Sequence, residues 1–150
     1  PLFLAAGNGH HKVVKVLLEE GRQDPDMTDE HDRTPLSWAA GRGHTGVVKL
    51  LLARKDVNPD SKDDKNWTPL SWAAGNGHTK VVLKLLLADS KASVNLPDTE
   101  GRTPLSWAAA GGHSAVTEIL LSDGQANADL ADNKGHTPLL WAAREGHRAV

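Results

Sequence analysis

The sequence predicts an all-α array in which short helix–turn–helix units stack in a row with hairpin tips projecting between them. Three markers recurring in phase predict it. The first is a phrase, TPLSWAA, that starts at Thr34, Thr68 and Thr103 and returns as TPLLWAA from Thr137, with Pro1–Ala6 fitting one step earlier. The second is a Gly-His pair: Gly9-His10, Gly43-His44, Gly77-His78, Gly112-His113 and Gly146-His147. The third is an apolar block: VVKVLL from Val13, VVKLLL from Val47, VVLKLLL from Val81 and VTEILL from Val116. The phrase's Thr advances by 34, 35 and 34 residues. A fixed period of that size marks a repeat architecture in which each unit is completed by its neighbours.

Each unit can be justified element by element. Thr34 suits an N-cap, and Pro35 belongs at the first helical position, where a missing N–H leaves nothing unsatisfied. Ala39 and Ala40 favour helix and let another helix approach closely. Gly43 suits the left-handed position that ends a helix. The second helix carries Val47, Val48, Leu51 and Leu52, whose spacing makes one apolar stripe. A helix of about nine residues is marginal alone in water, so these persist by stacking. In the connector, Asp32, Asn66, Gly101 and Gly135 stand two positions before each Thr, and these residue types tolerate positive φ best, which predicts a tight turn in every unit. VVLKLLL is one residue longer than VVKLLL, so an insertion at Leu83 predicts a bulge or a shifted helix end between Leu83 and Ala88.

Composition narrows the function classes. The 150 residues allow one domain, and a net charge of −2 with interleaved signs gives no basic stripe for nucleic acid or anionic membrane. No window approaches a transmembrane span, and no signal peptide is visible. Cysteine is absent, which excludes disulfides and thiolate chemistry and suits a cytoplasmic setting. Both ends cut a unit: 1–33 is a partial first repeat, 34–67, 68–102 and 103–136 are complete, and 137–150 is truncated. The expectation is therefore a single array belonging to a longer one, monomeric apart from end-to-end stacking of the cut repeats.

T-P-L-x-x-A-A, then G-H, then V-V-x-x-L-L over the whole chain resembles the ankyrin repeat. The resemblance implies an ankyrin-repeat solenoid, and the TPLSWAA phrasing is similar to the ankyrin arrays of fungal NACHT-type, NLR-like regulators. One departure matters. The family usually has His after T-P-L, where it hydrogen-bonds within and between hairpins; here stand Ser37, Ser71 and Ser106, with Leu140 and Phe3 in the outer units. Ser can make a shorter version of that bond, whereas Leu140 and Phe3 cannot.

Residues with chemical potential read as frame. Ser37 with His44 imitates a nucleophile and base, but the pair recurs once per unit without an orienting group or an oxyanion site. The Gly-His histidines stand too far apart along a stack to share a metal, so a hydrogen bond bracing the turn is preferred. Trp38, Trp72, Trp107 and Trp141 read as inter-repeat packing with the indole N–H near the surface, the alternative being an aromatic ladder for a ligand. Acidic pairs such as Asp63-Asp64 lie in connectors without an apolar pocket to raise a pKa, and Asp29-Glu30-His31-Asp32 reads as a solvated turn. No cofactor, metal or catalytic residue is expected.

What differs between copies is free to recognise a partner. On the concave face that the resemblance implies, the variable positions are Glu30, His31, Arg33 and Arg42; Asp64, Lys65, Trp67 and Asn76; Thr99, Glu100 and Arg102; and Asn133, Lys134, His136, Arg144 and Glu145. Mixed charge around one aromatic suits a protein or peptide, with Trp67 the candidate anchor. The alternative, favoured by the near-identity of the repeats, is a structural or sensor arm of a larger NLR-like protein without a dedicated partner on this segment.

Overall fold

The computed structural model describes residues 1–21, 23–88, 92–122 and 126–150. Among these the chain is helical: α1 Leu2–Gly7, α2 His11–Glu19, α3 Pro35–Gly41, α4 Thr45–Leu52, α5 Pro69–Gly75, α6 Thr79–Leu87, α7 Pro104–Ala110, α8 Ser114–Ser122 and α9 Pro138–Arg144. The odd-numbered helices pack on one another in sequence order and form one layer. The even-numbered helices from α2 to α8 form the second layer, and each packs on the first helix of its own unit.

The local signals act as their chemistry requires. Thr34, Thr68, Thr103 and Thr137 each accept a hydrogen bond from the backbone N–H three residues on, with Pro at the first helical position. Gly43 closes α3 at φ +75, and a Cβ there would lie 2.8 Å from the His78 ring of the next unit. Two constraints thus demand glycine, one conformational and one steric. Asp32, Asn66, Gly101 and Gly135 have φ between 59 and 82, as the turn requires.

Between the layers, Leu36, Leu70 and Leu105 meet Val47, Val48, Leu51, Val81, Val82, Leu85, Val116 and Leu120, all essentially without solvent contact. Each such side chain contributes about 1.5–3 kcal/mol by leaving water, which compensates for helices too short to hold alone. The core is continuous through the units, so no repeat owns its own.

Of the two disturbances expected between Leu83 and Ala88, the shifted helix end is the one that forms. Helix α6 runs unbroken to Leu87, one residue longer than α4. Val81, Val82, Leu85 and Leu86 occupy the inward stripe with the spacing of Val47, Val48, Leu51 and Leu52, while Leu83 and Leu87 face outward. No bulge forms, because adding a residue beyond the last inward position leaves the stripe's register intact. The extra length shifts the helix end.

Neighbouring units are also joined through their connectors. Asp26 accepts from the Asn58 backbone N–H at 2.7 Å, Asp60 from that of Ser93 at 2.8 Å, and Asn95 from that of Asn127 at 2.9 Å. The hairpins add one main-chain bond per junction, from Asp64 N–H to the His31 carbonyl, Thr99 to Lys65 and Asn133 to Glu100, at 2.9–3.1 Å.

Candidate functional site

The hairpins that carry the variable residues are held by an aspartate in each unit. Asp63 Oδ1 accepts from the backbone N–H groups of Lys65 and Trp67 at 3.0 and 2.8 Å, and Oδ2 accepts from the Trp72 indole N–H at 2.9 Å. Asp29, Asp98 and Asp132 repeat this arrangement with Trp38, Trp107 and Trp141 at 2.8, 2.9 and 3.1 Å. One carboxylate thus closes the turn and ties the hairpin to the first helix of its unit. Burial works to raise the Asp29 carboxyl, but the N–H donors of Arg33 and His31, the Trp38 indole and the Arg33 guanidinium hold it below the usual carboxylate range. For Asp132 burial again opposes, and the His136 and Lys134 N–H groups, the Trp141 indole and the nearby His136 ring prevail.

These bonds correct two expectations. The tryptophans do pack between units, since the Trp38 ring lies 3.0 Å from where a Gly7 Cβ would stand and Trp72 lies 3.5 Å from the equivalent point at Gly41. Their indole N–H groups, however, point at hairpin carboxylates instead of the surface. Asp29 is a structural acceptor in a turn expected to be solvated, and Asp63, expected only as part of a connector, is a structural acceptor and buried. The signal was present, because Asp29, Asp63, Asp98 and Asp132 keep the period of the Thr caps five positions upstream.

The tryptophans also form the floor between the hairpin stems, and the residue before each Thr lies against it. Trp67 sits between two of them, its ring 4.6 Å from that of Trp72 and 4.4 Å from that of Trp107, tilted by 49° and 47°. Arg102 sits in the next interval, its guanidinium carbon 4.6 Å from the Trp107 ring and 4.2 Å from that of Trp141. His136 meets the edge of Trp141 at 5.2 Å. Arg33 covers Trp38 at 4.2 Å while its Nε bonds Asp29 at 2.9 Å, and Arg42 lies over the same indole at 4.7 Å. Between Trp38 and Trp72 remains a cleft of about 300 Å³ lined by both rings, Arg33, Arg42, Ser37, Gly41 and Asn76.

The remaining variable residues are exposed around this floor. Glu30, His31, Asp64, Lys65, Thr99, Glu100, Asn133 and Lys134 occupy the hairpin tips, and Arg42, Asn76, Arg144 and Glu145 stand at or just beyond the ends of first helices. His31 meets Asp64 across neighbouring tips at 3.0 Å, and Asn133 Nδ2 donates to the Thr99 carbonyl. Arg33, Trp67, Arg102 and His136 are only partly exposed.

The apparent nucleophile–base pairs are separate parts of the frame. Ser37 Oγ shares a hydrogen bond with the capping Thr34 hydroxyl at 3.2 Å, and Ser71 and Ser106 do the same with Thr68 and Thr103. His44 Nε2 donates to the Gly7 carbonyl at 2.9 Å, and His78, His113 and His147 reach the Gly41, Gly75 and Ala110 carbonyls. Since a carbonyl only accepts, Nε2 carries the proton. The bond joins one unit to the one before it, a longer reach than bracing a single turn.

A family model described as ankyrin repeats (3 copies) matches the chain over residues 2–98, 55–129 and 82–150, overlapping segments that together run through every unit. No curated protein matches the chain.

Proposed function

Because the chain belongs to the ankyrin-repeat family, we propose that it is a non-catalytic module that binds a protein or peptide across its hairpin tips and first helices. Ankyrin repeats are generally protein–protein interaction modules and typically non-enzymatic. The observation that carries the reading is a division of labour: the recurring residues serve as caps, latches and core, while the hairpin tips and the ends of the first helices carry exposed residues that differ from unit to unit. Charges of both signs at the tips favour a partner of complementary pattern, which speeds encounter and rejects mismatched surfaces. An intracellular setting belongs to the same reading, since the chain uses no cysteine.

The alternative, a structural arm of a larger NLR-like protein, gains support from one feature. Trp67 and Arg102 fill the intervals between successive tryptophans from within the chain, which stiffens the stack without any partner. Selection of a displayed peptide library on the immobilised array discriminates the two. A binding module yields peptides that lose affinity when Lys65, Glu100 and Lys134 are all changed to Ala; failure to enrich any peptide on the unaltered array refutes the proposal and leaves the arm.

A further inference from the structure

The intervals between successive tryptophans differ in one respect. In the second interval the flat ring of Trp67 lies between Trp72 and Trp107. In the third, the flat guanidinium of Arg102 lies between Trp107 and Trp141. The first interval, between Trp38 and Trp72, has the same walls but is open. Arg33 occupies the position equivalent to Trp67 and Arg102, yet its Nε is bonded to Asp29 and its guanidinium covers only Trp38. Arg102 instead bonds Glu100 at 2.8 Å and reaches the next tryptophan. The chain therefore shows twice what this slot accepts, and leaves it open once.

From this geometry we infer that the cleft between Trp38 and Trp72 binds a neutral aromatic side chain of a partner peptide that carries a carboxylate beside it. Charge selects between the two kinds of planar group seen in the neighbouring intervals. Two guanidiniums already rim the cleft, so a cationic occupant meets like charge, whereas an indole or phenyl ring does not. Arg33 is neutralised by Asp29, but Arg42 is not: its Nη1 donates to the Gly7 carbonyl and the Asn8 side-chain oxygen at 3.2 and 3.4 Å, and among the described residues no carboxylate pairs with it. A carboxylate next to the inserted ring would complete that charge. The volume of about 300 Å³ lies at the small end for ligand pockets and has room for one aromatic side chain. The inference rests on the interaction-module reading and sharpens it to a partner class.

The test uses the indole N–H resonances of the array as reporters, titrated with the end-capped peptide Asp-Trp-Glu and with Asp-Leu-Glu and Lys-Trp-Lys as comparisons. Asp-Trp-Glu is expected to shift the Trp38 and Trp72 signals well beyond those of Trp107 and Trp141, and to bind at least about tenfold more tightly than either comparison. Arg33→Trp should close the cleft from within, as Trp67 does in the next interval, and lower affinity by about tenfold or more while the melting temperature is kept or raised. Trp67→Ala should open a second slot and bring the Trp107 signal into the response. Equal binding by Arg33→Trp, equal shifts at all four indoles, or Lys-Trp-Lys matching Asp-Trp-Glu overturns the slot. If display-selected peptides still bind at the tips in that case, the wider interaction reading stands without it.

Discussion

Removing the carboxylate of Asp63 tests the latch that holds the Lys65–Trp67 hairpin to its helix. Asp63 is 6% exposed and accepts three hydrogen bonds, from the Lys65 and Trp67 amides and the Trp72 indole. A hydrogen bond to a charged group is worth about 1.5–3 kcal/mol, but bonds sharing one acceptor are not additive. Freeing the fold from burying that charge returns part of the sum. Asp63→Ala should therefore destabilise the array by about 3–4 kcal/mol, and at roughly 2–4 °C per kcal/mol for a chain of this size the melting point should fall by about 6–16 °C. Asp63→Asn keeps one oxygen for the two amides and turns an NH₂ toward the indole N–H, so its loss should be smaller, about 1–3 kcal/mol. Asp64→Ala, one residue on but exposed, should stay within roughly 0.5 kcal/mol of wild type. Thermal and urea melts followed by circular dichroism give the ranking, and amide exchange at Lys65 and Trp67 locates the loss. If Asp63→Ala melts like Asp64→Ala, the latch is incidental and the reasoning fails.

Other expectations follow from the same frame. Gly43→Ala must adopt a left-handed backbone and also push the His78 ring aside, so it should lose about 2–4 kcal/mol, against about 1 kcal/mol for Gly21→Ala, which has positive φ but open space around it; equal melts would remove the steric argument. His78→Ala breaks the bond to the Gly41 carbonyl and should cost about 1–3 kcal/mol while broadening the urea transition, because adjacent units then unfold less as one. The carboxyls of Asp29 and Asp132 are held below their ordinary range, so the stability they supply is complete above about pH 4 and drains away as pH falls through their lowered folded values. Asp29→Asn should accordingly melt lower at neutral pH but decline less steeply in acid. Asp26 is the opposite case, its carboxyl raised mainly by burial, against the Asn58 N–H bond, with Asp24 and Asp56 adding repulsion. Asp26→Asn keeps the acceptor that Asn95 provides two junctions along and should melt higher at neutral pH, an advantage that vanishes as acid protonates the native Asp.

Much of the unit is legible in the sequence. Thr caps, helix-starting prolines, left-handed glycines and inward Val and Leu stripes are governed by backbone chemistry within a few residues, and their strict phase identified the repeat. The hairpin aspartates keep the same phase, but phase alone does not name their partners. Each makes its defining bond nine residues away on a helix, and nothing in a connector's composition says where a carboxylate will point. The extra residue near Leu83 was likewise visible as length, but only the helix could show that the inward stripe is kept and the end absorbs the difference.

The sequence by itself determined the row of units, their caps and turns, and which positions differ from copy to copy. Only the tertiary structure decided what those differing residues touch. Arg33 and Arg102 are the same residue at equivalent places, yet Arg33 turns back to Asp29 while Arg102 reaches Glu100 and the next indole. The choice is a competition between a carboxylate and an aromatic face for one guanidinium, settled by neighbours that come together only when the units stack.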